Sequence, residues 1–189
     1  MRSSFSICRA CSATTDPSPR SSSALRSVDG RPNIHVIDRS LTPGDGDALI
    51  AACDCYVSLH RSEGFGLTIA EAMAIGKPVI GTAYSGNMDF MNAGNSFLVD
   101  YELTRVGPDC QVYPADGEWA EPNLDQAAEL MRRVYEDPEA AARVGAQARE
   151  DIARELSPSA TGAVMRRRLE ELARQGGRQR GPASRLEPA

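Results

Sequence analysis

The chain has 189 residues, 41% of them hydrophobic and 25% charged, with a formal net charge of −5. That length suits one domain plus tails and excludes two full lobes, while the acidic balance excludes a general nucleic-acid binder, which needs a basic face to displace counterions. No run approaches the ~20 apolar residues that cross a bilayer, and no signal peptide precedes the five cysteines, so a cytoplasmic chain with reduced thiols is expected.

Taken in order, residues 1–30 carry Arg2, Arg9, Arg20 and Arg26 among many serines and show no period of 2 or 3.6, the pattern of a disordered tail. Cys8-x2-Cys11 lies in that tail and Cys53-x-Cys55 straddles the end of a helix and the start of a strand, so both pairs read as ordinary thiols rather than zinc ligands. From Asn33 the texture changes to short apolar runs alternating with helical stretches. Strands are expected at 33–37, 55–59, 78–81 and 96–99, and helices at 45–53, 67–75 and, shorter, near 87–93. His35 falls in the first strand and is expected in the core. Thr42 with Asp45 resembles a helix start, and Gly76-Lys77-Pro78 a helix stop.

Residues 100–122 lose periodicity and are expected to form a long ordered loop, its Asp109, Asp116 and Glu118 solvated. Three helices follow, at 123–136, 138–155 and 158–174, the last opened by Ser157-Pro158 as cap and first residue. Residues 176–189 read as a second disordered tail. Arg166, Arg167, Arg168, Arg174, Arg178 and Arg180 make a basic end that Glu170 and Glu171 interrupt, a solvated face rather than a membrane contact. The expected fold class is α/β: a Rossmann-like parallel sheet with helices on both faces and a helical C-terminal extension, occupying residues 31–175.

The stretch that carries chemistry runs from Ser58 to Ile80 and reads strand, glycine-bearing loop, helix, strand. In open parallel sheets, ligands sit beyond the carboxyl ends of the strands, where loops lead into helix N-termini. Gly64 and Gly66 permit positive φ and let backbone and ligand come close. The free N–H groups around Leu67 and Thr68 then offer donors and a positive dipole end to an anion. Glu71, one turn into the helix, leans back toward the ligand edge, where a carboxylate can accept both hydroxyls of a ribose diol. Glu63 in the loop is free to meet another part of the same ligand. His60, at a strand end, is expected to make a structural hydrogen bond.

Read together, Glu63-Gly-Phe-Gly-Leu-Thr-Ile-Ala-Glu71-Ala-Met-Ala-Ile-Gly-Lys-Pro-Val-Ile80 resembles the paired-glutamate motif of the retaining, GT-B-fold glycosyltransferases (glycosyl transferases group 1). That group includes sucrose synthases and many bacterial mannosyl- and glucosyltransferases. The likeness covers about residues 33–172. It implies one lobe of a GT-B enzyme and transfer of a hexose from a UDP- or GDP-sugar with retention; no cofactor is expected, and no metal either, since no Asp-x-Asp cluster lies in the loop at that edge. Glu71 would bind ribose, Glu63 would be the catalytic candidate at the transferred sugar, and Gly64, Phe65, Gly66, Leu67 and Thr68 would form the cradle.

The Tyr84-Ser85-Gly86-Asn87 turn stands where the family more usually has G-G-x-x-E. The Arg and Lys that hold the leaving diphosphate in the family lie upstream of the segment matching Asn33, a position taken here by the tail. Arg39 and Arg61, just past expected strand ends, are the candidates for phosphate or base contact, whereas Lys77 lies at the wrong edge. The resemblance also implies an acceptor lobe that this chain lacks, and hence no transfer by the chain alone. A non-catalytic nucleotide-binding fragment or degenerate copy, and a sugar-nucleotide epimerase of the same fold, are the alternative readings.

Overall fold

Two strands whose every residue is buried, β2 (Cys55–Ser58) and β3 (Val79–Thr82), lie at the centre of the sheet, and strands buried on both faces need helices over each. The computed structural model describes residues 7–9, 31–37, 39–110 and 112–179. Within them, β1 (Ile7–Arg9), β2, β3 and β4 (Phe97–Val99) form a parallel sheet in the order β1-β2-β3-β4. The registers Tyr56↔Val79, Val57↔Ile80, Ile80↔Phe97 and Thr82↔Val99 bring the carboxyl ends of β2, β3 and β4 to one edge.

Side chains alternate across this sheet with the period of two that a strand dictates. Tyr56 and Val79 pack with Ile50 of α1 (Pro43–Ala52), Ile69 and Met73 of α2 (Leu67–Ala74), and Ala148 and Ile152 of α4 (Pro138–Glu155). Cys55, Val57, Ile80, Phe97 and Val99 pack instead with Ala127 and Val134 of α3 (Leu124–Glu136), and with Ala141 of α4. The α/β class with helices on both faces is therefore as the sequence indicates, and α5 (Pro158–Gln179) forms the helical extension.

Five elements differ from expectation. Residues 33–37 form no strand: Ile34, Val36 and Ile37 are exposed, and His35 with them. The place beside β2 is taken by Ile7–Arg9, from the segment read as a tail; the remainder of that segment, Cys11 included, lies outside the described residues. The expected loop at 100–122 is an antiparallel hairpin of β5 (Tyr101–Arg105) and β6 (Glu118–Pro122), while Asp109, Asp116 and Glu118 are exposed as foreseen. Finally, α5 runs to Gln179, four residues into the second expected tail; Arg180 lies outside the described residues. The helix expected near 87–93 is a 3-10 turn at Gly86–Asp89.

Caps set the helix starts. Thr42 Oγ1 accepts the Asp45 N–H, Asn123 Oδ1 that of Gln126, Asp137 Oδ1 that of Ala140, and Ser157 Oγ that of Ala160, each satisfying an orphan donor. On the side of the sheet that carries α2, α4 comes very close to the turn after α2, because Gly145 has no Cβ: one there would overlap the Gly76 carbonyl.

A buried carboxylate ties α4 to the turn before β4. Asp151 accepts from Asn95 Nδ2 (2.9 Å), Gln147 Nε2 (3.0 Å) and Arg154 Nη2 (2.6 Å). The Asn95 hydrogen bond, then that of Arg154, hold its carboxyl below the usual aspartate range. A group depressed in the folded state stabilises above its unfolded pKa, and that stability is lost as pH falls through the folded value. Asp151→Asn is expected to cost about 1–3 kcal/mol at neutral pH, with the gap to wild type closing in acid. Urea unfolding across pH checks this; a gap independent of pH contradicts it.

Candidate functional site

The edge where β2, β3 and β4 end holds the glycine loop. Gly66 caps α2 with φ +88° and no side chain, so no side-chain bond closes the helix start. The first intrahelical bond is Ala70 N–H to Gly66 C=O at 2.9 Å, which leaves the N–H groups of Leu67, Thr68 and Ile69 ahead of the ladder. The other four α-helices that begin among the described residues have side-chain caps. Among the described residues only α2 presents its dipole end bare, the arrangement that attracts an anion.

Gly66 alone of the loop glycines uses positive φ, which corrects the expectation for Gly64. Gly64 serves in another way. The space a Cβ would fill there is empty to 4 Å, while its carbonyl is packed against Gly86, where any Cβ would overlap it and come within 3.1 Å of Phe65 Cα. The turn after β3 therefore lies directly against the loop after β2. Gly86 N–H (3.0 Å) and Ser85 Oγ (2.7 Å) both donate to the Glu63 carbonyl.

Phe65 packs on Phe90, ring centroids 5.3 Å apart, and Leu67 stays exposed. Tyr56, buried in β2, donates its hydroxyl to Thr68 Oγ1 at 2.7 Å and so pins the first turn of α2 to the sheet. The Glu63 and Glu71 side chains are half-buried. Glu71 shares a helix face with Leu67 and Thr68, four and three residues before it. Partial burial, and then the charge of Asp47 on α1, push the Glu71 carboxyl above the usual glutamate range. Asp47 was not legible as part of the site, because it reaches Glu71 only through the packing of two helices.

The basic candidates fare differently. Arg61 is already engaged: its guanidinium pairs with Glu121 (2.6 and 2.9 Å) and lies 4.8 Å from the centroid of the Trp119 ring, while its carbonyl accepts Ala120 N–H. Arg39 is exposed and follows no strand. Lys77 donates to the Ala51 carbonyl at the opposite edge, as expected. Both ring nitrogens of His60 meet protein atoms, as a structural role requires. Cys53 and Cys55 are buried, and burial pushes the Cys55 thiol up to about 12. Among the described residues no three His, Cys, Asp or Glu converge on a metal-binding point, and no helix is long and apolar enough to cross a membrane.

Comparison with known proteins adds a family to this geometry. The pattern of the family described as "Glycosyl transferases group 1" matches residues 23–151. The N-acetyl-alpha-D-glucosaminyl L-malate synthase of Bacillus anthracis is 32% identical over 123 residues, which are 64% of this chain and 27% of that protein. The fold is similar to that of sucrose-phosphate synthase from Thermosynechococcus elongatus (TM-score 0.64, 19% identity, 89% of this chain and 38% of that one). It is similar also to Anabaena HepE solved in complex with UDP-glucose (TM-score 0.61, 20% identity, 88% and 41%). The chain thus spans about a quarter of the length of the curated relative and about two fifths of these structures.

Because the two strand-end turns share one backbone surface, Gly86→Ala is expected to push them apart and to cost about 1–3 kcal/mol, the usual range for overpacking. Gly64→Ala has room and is expected to leave stability within about 0.5 kcal/mol. Denaturant midpoints of the two variants check the pair, and equal losses contradict the packing described.

Proposed function

The chain belongs to the glycosyl transferases group 1 family, and on that footing we propose that the segment from Glu63 to Glu71 is its donor site, binding a nucleoside diphosphate sugar for transfer of a hexose with retention of configuration. The observation that carries this reading is the bare N-terminus of α2 standing between two carboxylates, neither of which has a hydrogen-bond partner among the described residues.

Each part suits one piece of such a ligand. Glu71 accepts the two ribose hydroxyls, for which an unpaired, partly desolvated carboxylate is a strong acceptor. The N–H groups at Leu67 and Thr68, with the dipole behind them, meet the diphosphate. The clear space over Gly64 admits the sugar, and Glu63 meets its hydroxyls. Arg39 is free to contact phosphate or base, whereas Arg61 would first have to leave Glu121. The catalytic work of these residues is to position the donor and stabilise charge on the leaving diphosphate. UDP is the nucleotide to try first, since the similar HepE was solved with UDP-glucose. The activity of a whole enzyme, its acceptor included, is part of this proposal.

Calorimetry with UDP and UDP-glucose tests the division of roles. Glu71→Gln is expected to weaken both ligands about tenfold, and Glu63→Gln only UDP-glucose, each losing one charge-assisted bond; equal effects of both variants on UDP contradict it.

The raised Glu71 pKa supplies a pH test. Its carboxylate is the binding form, so affinity falls on acidification, and does so at a higher pH than an ordinary glutamate would give. Asp47→Asn removes one of the two causes, and is expected to move this acid limb to lower pH while leaving affinity near neutrality within about threefold. A limb that stays in place assigns it to another group.

A further inference from the structure

Resting on that donor-site reading, we infer that His60 is a positioning residue: through the Tyr84–Asn87 turn it holds the Glu63–Gly66 loop in the conformation that aims Glu63 at the transferred sugar.

His60 lies two residues beyond β2 and is half-buried. Its Nε2 lies 3.1 Å from the Tyr84 carbonyl and 3.0 Å from Asn87 Oδ1, and its Nδ1 lies 3.0 Å from Ser58 Oγ. Asn87 is fully buried and spends its Nδ2 on the Thr82 carbonyl at 2.9 Å, so the atom it turns to His60 is its oxygen. Nε2 therefore faces two acceptors and carries the proton, which leaves Nδ1 to accept the Ser58 hydroxyl. With both nitrogens occupied, the ring acts on a ligand only through other residues.

The turn it grips is unusual. Ser85 has φ +78° and ψ −153°, a combination that residues with a Cβ rarely adopt and that surrounding contacts must enforce. In that conformation Ser85 Oγ and Gly86 N–H converge on the Glu63 carbonyl. Both flanks of the turn, Tyr84 through its carbonyl and Asn87 through its side chain, are tied to His60. The chain of contacts from the imidazole to the Glu63 backbone is thus continuous. Losing the Nε2 proton donor would strand the Asn87 oxygen in a buried setting and free the turn. Among the described residues the Glu71 side chain, on the helix, has no hydrogen bond to this path, so the effect falls on the sugar end of the site rather than on the ribose end.

The test uses the full chain with His60→Leu and His60→Gln, the latter keeping an N–H donor near the position of Nε2. UDP and UDP-glucose are titrated calorimetrically, and amide hydrogen exchange is followed at residues 63–66 and 84–87. His60→Leu is expected to lose about tenfold in UDP-glucose affinity and less than about threefold for UDP, with faster exchange of the Gly86 amide, and His60→Gln to recover most of both. Equal losses on the two ligands, unchanged affinities and exchange, or no recovery by His60→Gln would each overturn the inference. If His60→Leu does not fold, Ser58→Ala, which removes the donor to Nδ1, is expected to show the same selective loss in weaker form. If wild type binds neither ligand, the donor-site reading fails, while the exchange rates still decide whether His60 holds the loop.

Discussion

The Cα of Gly86 rests on the Gly64–Phe65 backbone with no space for a side chain between them. This contact makes one surface out of two turns that leave different strands. The parallel register of β2 and β3 brings both turns to the same edge, but register alone would leave them separate loops. The Glu63 carbonyl, receiving Gly86 N–H and Ser85 Oγ, closes the join. The position proposed for Glu63 rests on this join.

The electrostatics of the edge are lopsided. Two carboxylates flank the helix start, Asp47 adds a third negative charge near Glu71, and Arg61 is committed to Glu121 and Trp119. An anionic ligand therefore meets its attraction in backbone N–H groups and the α2 dipole, which are fixed by the fold and need no reorganisation. Among the described residues neither carboxylate is paired with a cation, a state that suits sugar hydroxyls better than phosphate oxygens. On the donor-site proposal, this one segment would sort the two halves of a nucleotide sugar by chemistry.

Much of this was legible in the chain. Short apolar runs separated by helical stretches gave β2, β3, β4 and α1 to α5 within a few residues of their bounds, since strands buried on both faces must be continuously apolar. The spacing of Glu63, Gly66 and Glu71 picked out the candidate site, and the fold puts that segment at the carboxyl edge of the sheet. The run Asn33–Ile37 has a strand's composition but pairs with no strand among the described residues, and Ile7–Arg9 takes the place beside β2 without any periodic signal of its own. The hairpin of β5 and β6 was hidden because its strands are half exposed and joined by no tight turn. Arg61 looked free because its partners, Trp119 and Glu121, are far along the chain, and local pattern carries no information on such pairs. A structural hydrogen bond was expected of His60, but its partners Tyr84 and Asn87 were not legible for the same reason.

The central claim is that the start of α2 and the loop before it form the nucleotide-sugar site. A titration of the isotopically labelled chain with UDP-glucose, followed through backbone amide resonances, tests it residue by residue. The account predicts that the largest shifts fall on Gly64 to Thr68 and spread to Glu71, because those amides meet the ligand directly. Shifts centred instead on the shallow groove lined by Ile75, Ala146 and Arg149 at the far end of α2, or none at all at millimolar ligand, would contradict it.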